Sequence, residues 1–88
     1  MFVDAQKMHR KYPATFEVPP DDSLSLLSSG DEVKVSHNSE RFWVAVNGIF
    51  GDTIIGTVDN CLICDHPFGH GDVITFEKRH VHSIYKGA

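Results

Sequence analysis

The stretch "ERFWVAVNGIFGDTIIGTVDN", residues 40–60, decides the fold. Phe42, Val44 and Val46 alternate with Trp43, Ala45 and Asn47, the pattern of a strand with one buried face. Gly51-Asp52 supplies a hairpin turn, because glycine can take the positive φ that such turns need. Asn47-Gly48 is the rival turn. A turn there would leave only Ile49 and Phe50 before the next turn residues, so Asn47-Gly48 reads as a bulge that bends a long strand. On the returning arm Ile54 and Val58 share a face, and Gly56 between them suits a sharp bend.

Three further strands flank this hairpin. "DEVKVSH" at 31–37 places Val33 and Val35 on one face and Lys34 and Ser36 on the other. "DVITFEKR" at 72–79 offers Ile74 and Phe76, and "SIY" at 83–85 is a short last strand after a helical turn in "RHVH". The expected core is Phe42, Val44, Ile54, Val58, Ile74 and Phe76. Five short strands with one bent central hairpin predict a mainly β fold, a small SH3-like barrel over residues 31–88. Closure would remove the two edges that so small an open sheet leaves exposed.

Residues 1–30 read as a lead-in. "DAQKMHRKY" at 4–12 is a short helix capped by Asp4 and stopped by Pro13. "ATFEVPP" is extended, with Phe16 and Val18 on one side. "DDSLSLLSSG" predicts one helical turn capped by Asp21 or Asp22 and ended by Gly30, with Leu24, Leu26 and Leu27 to bury. The lead-in is expected to pack on the barrel as part of a single domain, 1–88.

The chain has 88 residues, 41% hydrophobic and 23% charged, with a net charge of −4. That balance disfavours a nucleic-acid binder relying on broad basic charge. No apolar run reaches the ~20 residues that cross a bilayer, and no secretory leader is evident. Two cysteines in that setting point to free thiols and a cytoplasmic protein.

Glu40-Arg41-Phe42-Trp43-Val44, then Gly51-Asp52, then Gly56-Thr57-Val58-Asp59-Asn60, and finally Gly71-Asp72 with "FEKRHV" follow one another in a fixed order. This pattern resembles that of a family of small conserved hypothetical proteins, a domain of unknown function from bacteria, phages and large DNA viruses. "KYPATFEVPP" is similar to the lead-in of related sequences. The resemblance implies the fold, no particular reaction, and a phage–host or mobile-element setting. The chain departs from that pattern at Cys61 and Cys64.

"CLICDHPFGHGD", residues 61–72, holds both cysteines and two of the six histidines. Cys61, Cys64, His66 and His70 are the residue types of a structural zinc site, and a small zinc-binding domain is one alternative. The spacing opposes it. All four would-be ligands fall within one short run stiffened by Pro67, whereas zinc fingers separate their ligand pairs by about a dozen residues. If the strand continued through "NCLIC", the two sulfurs would face opposite ways. A redox pair needs a helix after Cys64, which Asp65 and Pro67 disfavour. The segment therefore reads as a loop, and no metal or cofactor is expected. His37, His66, His70, His80 and His82 read as solvated or packing residues.

No serine, cysteine or carboxylate pair sits in a catalytic motif, so the expected function is a non-catalytic interaction module with a protein partner. The candidate binding residues are Trp43, Asn60, Lys78, Arg79 and His80. Trp43 lies opposite the core face and either packs beneath the lead-in, the favoured reading, or forms a binding surface. The main alternative is a nucleic-acid-binding barrel using Lys78, Arg79 and exposed aromatics, with Lys7, Arg10 and Lys11 as a second basic cluster. No membrane partner is expected.

Overall fold

The central hairpin forms from β2, Glu40–Phe50, and β3, Thr53–Val58, joined by a two-residue turn with Gly51 at φ +62°. The structure is a computed structural model and describes residues 1–87. Register shifts between Val46 and Gly48, so Asn47 is the extra residue of a bulge. β1, Glu32–His37, pairs antiparallel with β2, and β4, Val73–Glu77, pairs antiparallel with β3. A 3-10 turn, Lys78–His80, leads to β5, Ser83–Tyr85, which returns to pair with β1.

The strand order is β4-β3-β2-β1-β5 in one antiparallel sheet. The ladder does not close, which corrects the expectation that both edges disappear. β5 is only three residues long and spends its pairing on Glu32–Lys34 of β1. Among the described residues β4 and β5 remain the two edges.

All six expected core residues are buried, together with Val33, Val35, Val46 and Val81. Alternation on a pleated strand is enough to fix this, because one step of register would turn every one of them outward. Gly56 has a different role from the expected bend. A Cβ there would meet Val44 Cγ1 at 2.5 Å and the Ala45 carbonyl oxygen at 2.8 Å, so glycine permits close approach of β3 to β2 beside the bulge.

In the lead-in, α1 spans Ala5–Lys11, with the Asp4 carboxylate accepting from Lys7 N–H. α2 spans Asp21–Ser25. Its N-cap is Pro20 rather than Asp21 or Asp22, which sit in the first turn where the helix dipole favours negative charge. Leu24 and Leu27 join the sheet's core, but Leu26 is 71% exposed, since a single helical turn can bury only one face. Leu26 also ends α2, well ahead of Gly30, whose positive φ instead serves the turn into β1. No helix among the described residues is long and apolar enough to cross a membrane.

Candidate functional site

Trp43 stands on the outer face of β2, opposite Lys34 of β1. The Lys34 ammonium lies 4.8 Å from the centre of the indole ring. Glu32 and Tyr85 are paired across β1 and β5, and Asp59 follows β3. These three and Trp43 line a shallow pocket of about 340 Å³, with Tyr85 67% exposed. Alternation places Trp43 and Glu32 on the outer face from the sequence alone. Their meeting with Tyr85 depends on β1–β5 pairing, which no local pattern encodes.

The extended part of the lead-in packs elsewhere. Phe16 meets His82 with ring centres 5.0 Å apart, and the Arg41 guanidinium lies 5.3 Å from the Phe16 ring. Residues 14–20 with Arg41, His82, Ser83 and Ile84 enclose a separate groove of about 540 Å³. Leu24 and Leu27 anchor this segment in the core, so it needs no cover from Trp43. His82 lies beneath it, with Nε2 buried and unpartnered.

Asn60 has a backbone task. Its Oδ1 accepts from Trp43 N–H, while Asp59 N–H donates to the Trp43 carbonyl at 2.9 Å. The side chain thus extends the β2–β3 ladder one step past Val58.

The basic candidates are largely engaged within the protein. Arg79 donates to Asp4 and Glu77, each at 2.9 Å, and both acids hold its guanidinium firmly charged. His80 Nδ1 accepts from Glu77 N–H, and its ring lies against Phe2. Burial, then Arg79, pushes the His80 imidazole below its usual range. The structure does bring the two basic clusters together, since Arg10, Lys78 and Arg79 line one groove. Asp21, Asp52 and Glu77 line it too, so its charge is mixed.

The Cys/His segment is a loop tied down by Glu40. That carboxylate accepts from Ile63 N–H, Cys64 N–H and His66 Nε2. These bonds, His66 first, pull the Glu40 carboxyl down to about 2. The His66 side chain is wholly buried, and its Nδ1 pairs with His37 Nδ1 at 2.6 Å. The ring also stacks on Phe68. Burial, then His66, lowers the His37 imidazole. Both nitrogens of His66 are therefore committed to protein partners, while Cys61, Cys64 and His70 are exposed. Among the described residues no three His, Cys, Asp or Glu side chains are grouped to hold a metal ion. Glu40 was legible only as part of "ERFWV"; its reach to the loop depends on tertiary placement.

Compared with protein-family models, curated proteins and solved structures, the chain matches none.

Proposed function

We propose that this protein is a non-catalytic binding module on an SH3-like barrel, and that its partner is a protein docked on the outer face around Trp43. The strand order, with β1 between β2 and β5, and the 3-10 turn before β5 support the barrel reading. The motif residues from Glu40 to Asn60 support membership of the family of conserved hypothetical proteins they resemble.

One observation carries the choice of partner. Trp43 stands outside the core, with Tyr85 beside it and two carboxylates, Glu32 and Asp59, at its rim. Aromatic side chains on an open surface are the usual anchors of protein interfaces. The two carboxylates outnumber the Lys34 ammonium beside the ring, and their net repulsion of a phosphate backbone weighs against the nucleic-acid alternative. That alternative also loses Arg79, which is held by two acids.

Selection from a random peptide library should enrich binders that Trp43→Ala weakens by about tenfold or more. A library without binders, together with salt-dependent binding of single-stranded DNA or RNA, would overturn the reading.

A further inference from the structure

The pocket beside Trp43 combines two features that point to one ligand chemistry. Its walls are an indole and a phenol. Its rim carries Glu32 and Asp59, and neither has an ion-pair partner among the described residues. The two carboxyl groups line the same pocket, and Asp59 pushes the Glu32 carboxyl above its usual range. Two neighbouring carboxylates repel unless a proton or a cation lies between them.

The ligand that relieves this repulsion is positively charged. A divalent metal ion is a poor candidate, because calcium takes about six to eight oxygen ligands and this pocket offers two carboxylates. An organic cation fits both features, since aromatic faces attract ammonium and guanidinium groups. Lys34 already illustrates the attraction, its ammonium lying over the Trp43 ring. The chain's net charge of −4 favours approach of a basic partner.

We infer that the pocket formed by Glu32, Trp43, Asp59 and Tyr85 receives a lysine or arginine side chain of the partner protein. This rests on the protein-binding reading above and adds the chemistry of the contact. The carboxylates accept hydrogen bonds from the cationic head, and Trp43 and Tyr85 flank it.

Trp43 is the only tryptophan, so its fluorescence reports on the pocket directly. The probes are an acetylated, amidated Gly-Gly-Lys-Gly-Gly peptide and the same peptide with its lysine Nε-acetylated. The lysine peptide should shift the emission with a dissociation constant about tenfold or more below that of the acetyl-lysine peptide. Glu32→Gln with Asp59→Asn should abolish the difference. If the double variant fails to fold, Asp59→Asn alone serves, because Asp59 is exposed. Equal titrations by the two peptides, or no response to either, would overturn the inference. So would library-selected binders that need Trp43 yet carry no basic residue and tolerate loss of both carboxylates. That last result would leave the protein-binding reading standing.

Discussion

His82 is 5% exposed, packed against Phe16, and neighboured by the charged groups Arg41 and Lys34 and by the titratable His80. Burial, then Arg41, His80 and Lys34, pulls its imidazole down to about 4, against about 6.5 in an unfolded chain. A depressed value favours the neutral ring in the fold. The unfolded chain therefore binds the extra proton first as the solution is acidified. The stability tied to this group is complete above about pH 6.5 and is lost as pH falls through that value towards 4. Urea unfolding at several values between pH 7.5 and 4.5 should show this decline, and His82→Leu should make it shallower. His37 and His80 are lowered in the same sense, so the slope will not vanish. An unchanged slope in His82→Leu would contradict this account. Asp31 and Glu40, each held at about 2, lose their contribution only at lower pH, between their ordinary range and 2. None of this was legible in the sequence. The alternation that exposed Trp43's orientation says nothing of which distant residue will cover a histidine.

At the scale of elements, strands read well and their connections less so. The period-two pattern fixed the inward residues, and the cost of a misplaced Phe or Ile enforces it. The bulge at Asn47 and the turn at Gly51 followed from local backbone chemistry. The turn between β1 and β2 did not, because Asn38 and Ser39 both take positive φ and serine carries little warning of that. The loop after β3 was the hardest segment. Its cysteines and histidines are the residue types of metal ligands, though their spacing reads as a loop, while the group that organises it, Glu40, lies at the start of β2. Glu40→Ala removes the acceptor for Ile63 and Cys64 N–H and strands His66 Nε2 in a buried site. Hydrogen exchange should then speed up at the Ile63 and Cys64 amides by roughly tenfold or more, the scale of one lost charge-assisted hydrogen bond. Unaltered exchange there would mean that the loop has another anchor.

At the scale of the whole molecule, the lead-in and the sheet share one core. Phe2 lies 5.8 Å from the rings of both His37 and Phe76, and Val3 N–H donates to the Ser36 carbonyl. Asp4 pairs with Arg79, and Phe16 covers His82. Full burial of a large apolar side chain stabilises by about 1.5–3 kcal/mol, and the half-buried Phe2 contributes a share of that, against a total margin of roughly 5–15 kcal/mol for a domain. Deleting residues 1–20 should therefore unfold or aggregate the remainder, as read by loss of a cooperative melting transition. A sharp transition in the truncated chain would make the lead-in dispensable. The single core was foreseeable from the leucines that follow Pro20. The open edges were not, since closure depends on how far β5 runs beside its neighbours.

The lead-in's path over Arg41 and His82 leaves Trp43 half-buried among Glu32, Asp59 and Tyr85, with part of its ring reachable from solvent, and the binding reading depends on that. Charge-selective quenching of Trp43 fluorescence tests it most directly. Two carboxylates outnumber the single Lys34 ammonium at the ring, so caesium, a cation, is drawn there and iodide, an anion, is repelled. The account predicts efficient quenching by neutral acrylamide and by caesium, with iodide weaker than caesium at equal ionic strength. Quenching by none of the three would mean that Trp43 is covered, and iodide stronger than caesium would mean that its surroundings are not acidic.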